Sequence, residues 1–299
     1  MLHIFLSWSI WQALQGKPGI EPLIKKSIAV TEDDHSGIRV PAWLLGIRDF
    51  GFMMVFFFAC VFQIPLLIGA MSVLFLGGTI NGTIISMEIA AAVGRAREKS
   101  RYDLMSLIPK GGIGVLWSIG QRTLRHHKTV KTLKRGFEAL TILVLFVIGF
   151  ITVMLFVANL LPQNGTFPEL RPLVAVGIIL IAIRLDFMLS MQTGLVNGML
   201  ISTYIRGRSD GYLYGALVFI TLQVGLYVLI FLVGIILPNM IYDQMMPDSQ
   251  WTPVAVALTL LVVILLVREL ALRIIWHQVS VRLNTDADEL ALLSRRSPA

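Results

Sequence analysis

Two charged residues lie inside an apolar run of this sequence. Arg184 and Asp186 fall near the middle of residues 173–204, a run long enough to cross a bilayer. Charges are costly in hydrocarbon, so such residues usually face a bundle interior or a cavity. Positions two apart do not share a helix face, and we expect both to pair with other helices. They predict a polar element of a translocation path or of a helix-contact network.

A second interpretation of this pair stays open. Residues 173–183 can instead form a tilted or re-entrant segment, because their apolar character alone does not fix their direction. Arg184 would then lie near a membrane interface and would need no buried partner.

The motifs of other reactive sites are missing from the sequence. It contains no G-x-x-x-x-G-K-[ST] loop, so we do not expect the chain to bind ATP by itself. It contains no H-E-x-x-H, C-x-x-C or G-x-S-x-G motif, and none of its five histidines falls within a predicted span. The single cysteine, Cys60, has no partner for a disulfide. We therefore predict no enzymatic activity, no metal and no cofactor.

The composition is typical of a polytopic membrane protein. Of the 299 residues, 56% are hydrophobic and 14% are charged, whereas soluble domains carry about 25% charged residues. Several apolar runs approach or exceed the roughly 18–20 residues that a span needs. The net charge of +7 is assigned to bases in cytoplasmic loops, and nucleic acid is not predicted as a partner.

The predicted fold class is an all-α membrane protein, a bundle of six transmembrane helices. Residues 50–92 carry one charge, Glu88, and are long enough for two spans, with a turn near residues 63–65 or Gly69. The sixth helix is expected to continue through Arg268 and Arg273, whose stems can snorkel. The last four spans are assigned to residues 137–161, 173–204, 212–237 and 252–267.

Charge and tryptophan positions predict the topology. Residues 50–276 form the transmembrane domain, and residues 277–299 form a cytoplasmic tail. Residues 1–49 are an interfacial or cytoplasmic segment, in which Trp8 and Trp11 favour an in-plane helix. The cytoplasmic loop, residues 93–136, is strongly basic. The positive-inside rule then places both termini in the cytoplasm, as expected for a multi-pass protein of the bacterial inner membrane.

The charged segment after the second span is the candidate docking site for a partner. Leu104 and Leu107 share a helix face, and Glu98 and Arg101 form a polar edge, so the segment can dock in a groove as a short helix. The alternative is a solvated juxtamembrane helix whose bases only set topology. The candidate docking residues are Arg97, Glu98, Arg101, Tyr102, Asp103, Leu104, Leu107 and Pro109.

Seven of these eight residues, all except Arg101, resemble a signature of six-helix ABC transporter permeases of the type-2 exporter class. In that family a membrane helix is followed by an Arg-Glu-rich turn, an acidic-Leu-Leu pair and a Thr-Pro stop. The segment is the coupling helix that docks on a separate ATPase. The resemblance implies a permease subunit that works with a separate ATP-binding subunit and a second permease copy.

Residues 112–135 are predicted to form a basic, partly amphipathic helix. Trp117 and Leu124 alternate with basic side chains. We expect this helix to lie on the inner leaflet, where each base near anionic lipid contributes roughly 1 kcal/mol. Binding to an acidic partner surface is the alternative. The helix departs from the resembled family, in which the third span usually begins soon after the Thr-Pro stop.

Two segments of the sequence echo each other. Residues 79–86 align with residues 195–202, and each segment precedes an Arg-x-Arg. Small and polar residues at such positions let helices approach closely and form hydrogen bonds, although chance similarity is the alternative.

Two functions stay open from the sequence. The first is a permease subunit of an ABC-type transporter. The second is a non-transporting accessory or scaffold subunit of a larger membrane complex with the same fold, which the sparse intramembrane polarity and the additional basic helix favour.

Overall fold

The structure is a computed structural model that describes residues 6–15, 66–98, 111–126, 170–245 and 251–284. These ranges are almost entirely helical and contain no strand. A π-helical turn, Leu232–Ile236, connects the fifth and sixth helices. The helices are α1 (Leu6–Gln15), α2 (Leu66–Glu98), α3 (Gly111–His126), α4 (Leu170–Tyr204), α5 (Arg208–Phe231), α6 (Leu237–Met245) and α7 (Thr252–Leu283).

Three stretches of the described chain are helical, long and apolar enough to cross a membrane. They are Gly177–Tyr204 in α4, Arg208–Tyr242 in α5 to α6, and Thr252–Leu283 in α7. They overlap the predicted fourth, fifth and sixth spans, but the fifth continues through Tyr242 instead of ending at residue 237, and the sixth continues through Leu283 instead of ending at residue 267. The prediction of a helical membrane protein is confirmed in this coarser form. The first span predicted within residues 50–92 and the third, residues 137–161, lie outside the described residues.

The second predicted span corresponds to α2, which is longer than expected. It is one continuous helix from Leu66 to Glu98, so the alternative turn at Gly69 is wrong. Helix α2 begins at Leu66, directly after Pro65. Proline is compatible with the start of a helix and incompatible with its interior. Arg95, Arg97 and Glu98 belong to its last turn. The charged segment therefore starts as a direct continuation of a bundle helix.

The π-helical turn before α6 has a local cause. Pro238 lacks an N–H, and in a regular α-helix its ring would clash with the carbonyl of Gly234. Gly234 belongs to the π-helical turn, Leu232–Ile236, which ends just before Pro238. The wider turn accommodates the proline, and α5 continues into α6 as one long apolar stretch.

Helices α2, α4 and α7 run in the same direction, and α5 runs antiparallel to them. Along α4, Asp186 meets Arg268 and Tyr204 meets Arg282, so α4 and α7 are parallel. Gly82 and Ser86 of α2 approach Gly194 and Gly198 of α4 in the same order. The ends of α2 and α7 and the α4–α5 turn consequently lie together. We call this the basic end, after Arg95, Arg97, Arg206, Arg208 and Arg282.

Small residues at every fourth position of α2 bring three helices into backbone contact. A Cβ atom added to Gly194 of α4 would lie 2.5 Å from the carbonyl oxygen of Gly82. One added to Gly211 of α5 would lie 2.8 Å from the backbone nitrogen of Ala91. Such close approach is typical of membrane helix pairs. The ladder of α2 consists of Gly78, Gly82, Ser86, Ala90 and Gly94.

The two echoing segments lie against each other at this contact. Asn197 Nδ2 donates to Ser86 Oγ at 2.9 Å, and Ser86 Oγ donates to the carbonyl oxygen of Gly215 at 3.0 Å. Small and polar residues of the two segments therefore approach closely and form hydrogen bonds, as their types permit, whereas an origin of the two segments as a repeat stays a hypothesis. It is a contact between α2, α4 and α5.

Helices α1 and α3 pack on the half of the bundle nearest the basic end. Ile10 of α1 and Leu116 and Trp117 of α3 are buried in one cluster with residues of α2, α4 and α7. The helix prediction is confirmed for residues 111–126, and residues 127–135 lie outside the described residues. The apolar face of α3 packs on side chains of the bundle helices, and its predicted place on the inner leaflet stays a prediction.

A carboxylate on α7 holds the start of α1. The backbone N–H groups of Leu6 and Ser7 donate to Glu269 at 2.5 and 3.2 Å. The same carboxylate accepts a bond from Arg273 Nε at 3.1 Å. An anion at a helix N-terminus is favourable, and it satisfies N–H groups that lack an intrahelical partner. The first described helix is thus attached to α7, while Trp8 stays exposed.

Candidate functional site

Polar side chains from three helices form one connected group inside the bundle. We call it the buried polar network, and it consists of Asp186 and Ser190 of α4, Gln223 and Tyr227 of α5, and Arg268 of α7. Arg268 Nε donates to Asp186 Oδ1 at 2.8 Å. Tyr227 Oη donates to Asp186 Oδ2 at 2.7 Å. Both carboxylate oxygens of Asp186 are therefore bonded to other helices.

The remaining bonds close the network around the guanidinium of Arg268. Its Nη1 donates to Gln223 Oε1, and Gln223 Nε2 donates to Ser190 Oγ at 3.0 Å. The guanidinium carbon lies 4.9 Å from the centre of the Tyr227 ring, within the range of a cation–π contact. Within the described chain, Arg268 Nη2 has no hydrogen-bond partner.

The network lies deep in the bundle. Asp186, Gln223 and Arg268 are each 0% exposed. At a rise of 1.5 Å per residue, the separations from Arg268 to Arg282 and from Tyr227 to Arg208 place the network roughly 20–30 Å from the basic end. The hydrocarbon core of a bilayer is about 30 Å thick. A basic end at the membrane surface therefore puts the ion pair within the hydrocarbon.

Helix α2 borders the network without contributing a side chain. A Cβ atom added to Gly78 would lie 2.6 Å from Tyr227 Oη, 2.7 Å from Ser190 Oγ and 3.1 Å from Asp186 Oδ2. Because Gly78 has a hydrogen atom where other residues have a Cβ atom, α2 can approach these polar groups closely. Four bundle helices thus meet at this depth.

A buried ion pair of this kind fixes which helices meet and at what height. Isolated charges in a poorly hydrated interior cost several kcal/mol each, and the partner repays this only at one relative position of the helices. The network therefore sets the register of α4, α5 and α7.

The two predicted intramembrane charges have different surroundings. Asp186 is buried and pairs with other helices, as its position in an apolar run predicts. Arg184 is half-buried. The helix is continuous from Leu170 to Tyr204, which excludes a re-entrant segment over residues 173–183, whereas a tilted helix with Arg184 near an interface stays a prediction.

Arg268 corrects a prediction. We expected its stem to snorkel towards a membrane surface, and it is instead fully buried and bonded to Asp186 and Gln223. The continuation of α7 through Arg268 and Arg273 is confirmed. The sequence does contain a signal for this burial. Apart from Arg273, apolar residues resume after Glu269 for about two turns, so Arg268 lies inside the apolar stretch.

Two of the predicted docking residues make bonds within the chain. Arg97 Nη1 donates to the carbonyl oxygen of Ile205 at 2.9 Å. Glu98 Oε1 accepts a bond from the backbone N–H of Arg208 at 2.7 Å. Both bonds reach the α4–α5 turn. The other predicted docking residues, Arg101, Tyr102, Asp103, Leu104, Leu107 and Pro109, lie outside the described residues.

Comparison with protein-family models, curated proteins and solved structures gives no match. Within the described residues, no group of three histidine, cysteine, aspartate or glutamate side chains is arranged to hold a metal ion. Functional interpretation therefore rests on the resemblance of the charged segment, on the buried polar network and on the attachment of α2 to the α4–α5 turn.

Proposed function

We propose that this chain is the membrane-spanning permease subunit of an ABC-type transporter in a bacterial cytoplasmic membrane. It works with a separate ATP-binding subunit and a second permease copy. One observation carries the proposal. The segment that resembles a coupling helix begins in the last turn of α2, and Arg97 and Glu98 bond there to the α4–α5 turn. The segment is therefore connected directly to helices of the buried polar network.

The packing of α2 supports transmission of movement through the bundle. Gly82 and Ala91 of α2 lie against the backbones of α4 and α5, with no flexible side chain between them to absorb a shift. Close-packed interiors transmit strain because they contain few voids. A displacement of α2 at the basic end must then move α4 and α5 with it. A subunit driven by a separate ATPase requires this kind of rigid connection.

In this proposal the basic end faces the cytoplasm, and six spans place both termini on that side. The stretch between the predicted fifth and sixth spans, residues 238–251, carries Asp243 and Asp248 and no base, and we assign it to the outer side although α6 covers its first part. This distribution follows the positive-inside rule. The cytoplasmic position also lets the charged segment meet a soluble ATP-binding subunit, and lets the basic residues meet anionic lipid.

The topology predicts which cysteines an impermeant reagent can label. In a Cys60→Ser background, Ser249→Cys in the predicted outer loop is expected to react with an impermeant maleimide applied to intact cells. Lys128→Cys is expected to react only after the cells are opened. Both variants are compared by gel shift at equal expression. Labelling of Lys128→Cys from outside would reverse the proposed orientation.

The docking proposal predicts loss of the partner without loss of insertion. A Leu104→Asp, Leu107→Asp double variant is expected to insert normally, because insertion depends on the apolar spans. It is expected to lose its ATP-binding subunit, since a desolvated contact would then hold a buried charge. Gentle-detergent purification with identification of the co-purifying chains measures this. Arg206→Glu, at an exposed position of the α4–α5 turn, is the control for a general change of surface charge.

A scaffold function is the second candidate, and the burial of the network favours it. Asp186 and Arg268 are sealed from solvent, as expected for a pair that holds helices together. In this case the chain is a non-transporting subunit of a larger membrane complex. A stable complex without an ATPase, unchanged by the double variant, would support the scaffold function and contradict the permease proposal.

A further inference from the structure

The start of α5 has no side-chain cap from its own N-cap residue. Helix α4 ends at Tyr204 and α5 begins at Arg208, so their last carbonyls and first N–H groups have no intrahelical partners. The N-cap residue of α5 is Gly207, which provides no side-chain hydrogen bond. Serine, threonine, aspartate or asparagine usually fills this position. A side chain from another helix can therefore take the place of the missing cap.

Two consecutive residues of α2 supply those partners. Glu98 accepts the bond from the Arg208 N–H at the start of α5, and Arg97 donates to the Ile205 carbonyl just after the end of α4. The signs of the charges match the helix dipoles, because an anion is favourable at an N-terminus and a cation at a C-terminus. One turn of α2 thus caps two other helices.

The close approach that permits these bonds depends on Gly94. A Cβ atom added to it would lie 2.7 Å from the carbonyl oxygen of Gly207 and 3.2 Å from the backbone nitrogen of Arg208. The glycine lies one turn before Arg97 and Glu98 on the same helix. Backbone contact and both caps therefore occur within one turn of α2.

We infer that Arg97 and Glu98 are positioning residues that act within the chain. They cap the α4–α5 turn and thereby fix the end of α2, from which the chain enters residues 99–109. This differs from a role as contact residues of a partner subunit. The capping role stands by itself, whereas its consequence for partner docking rests on the proposed function.

A proline substitution isolates the bond of Glu98. Arg208 is the first residue of α5, where proline is well tolerated, and the extended backbone of Gly207 suits a residue before proline. Arg208→Pro removes the N–H that donates to Glu98 and leaves the helix able to form. Arg208→Ala is the matched control, because it removes the same side chain and keeps the N–H.

Hydrogen exchange of the first turn of α5 measures the cap. Glu98→Ala is expected to speed exchange at residues 211–214, the first amides of α5 with helical hydrogen bonds, about fivefold, the effect of losing a typical N-cap. In the Arg208→Pro background, Glu98→Ala is expected to change the exchange less than twofold. In the Arg208→Ala background it keeps its full effect. An equal effect of Glu98→Ala in both backgrounds would overturn the capping role.

A conservative variant keeps the test decisive if the proline variant does not fold. Glu98→Gln retains an acceptor oxygen, so it is expected to preserve most of the protection that Glu98→Ala loses. Exchange as fast as in Glu98→Ala would contradict the cap. Where an ATP-binding subunit co-purifies, Glu98→Gln is expected to retain it and Leu104→Asp to lose it. If no such subunit co-purifies with the unaltered chain, the proposed function fails, and the exchange data still decide the capping role.

Discussion

Asp186→Ala is expected to lower the thermal stability of the purified protein far more than Arg208→Ala does. Removing the carboxylate leaves Arg268 charged, 0% exposed and without its ion-pair partner. Breaking a buried pair in this way typically costs about 3–5 kcal/mol. Arg208 lies at the basic end and its side chain contacts Tyr212 in a half-exposed place. Its loss is expected to cost less than about 1 kcal/mol.

A double variant tests whether the uncompensated charge is the cause. Asp186→Leu combined with Arg268→Met removes both charges and keeps apolar volume, and it is expected to recover most of the stability that Asp186→Leu alone loses. Tyr227 and Gln223 still lose bonds to these residues, so recovery stays incomplete. Thermal unfolding in one detergent compares all variants. Equal stability of Asp186→Ala and Arg208→Ala would contradict the structural importance of the network.

Much of the fold could be predicted because membrane spans have a strong local signal. The length and apolar character of α4, α5 and α7 are properties of the sequence alone. Asp186 could be singled out for the same reason, since a carboxylate in an apolar run needs a partner. One of the two predicted turn positions, residues 63–65, directly precedes the start of α2 at Leu66.

The partners of Asp186 could not be predicted, because they depend on how the helices align. Tyr227 and Gln223 are neutral side chains whose presence in a span carries no signal of charge. Arg268 lies at the edge of the predicted sixth span, where snorkelling is the usual outcome. The pairing follows from the parallel alignment of α4 and α7, which places Arg268 beside Asp186. That alignment is a tertiary property.

The surroundings of α3 could not be predicted from the sequence either, because they also depend on tertiary packing. Its amphipathic pattern predicts that one face will be covered, and the pattern is equally compatible with lipid and with protein. The structure covers Leu116 and Trp117 with side chains of α2, α4 and α7. The caps at the α4–α5 turn could not be predicted from the sequence either, because Glu98 and Arg208 are far apart in the chain.

The second large effect is expected at the backbone contact between α2 and α4. Gly194→Ala would place a Cβ atom 2.5 Å from the carbonyl oxygen of Gly82 and 2.9 Å from its Cα atom. Both atoms belong to a helix backbone, so relief requires the two helices to separate. Overpacking of this kind typically costs about 1–3 kcal/mol. Separation would also stretch the bond from Asn197 to Ser86 one turn further along.

Gly177→Ala is the matched control on the same helix. A Cβ atom at Gly177 would meet nothing within 4 Å, so this change adds a methyl group without a clash. Alanine is favoured over glycine in helices by up to about 1 kcal/mol in both variants. Thermal unfolding in one detergent is therefore expected to show Gly194→Ala less stable than the unaltered chain and Gly177→Ala equally or more stable. If the two variants unfold at the same temperature, α2 and α4 do not pack backbone to backbone. The proposed rigid connection between the charged end of α2 and the buried polar network would then be contradicted as well.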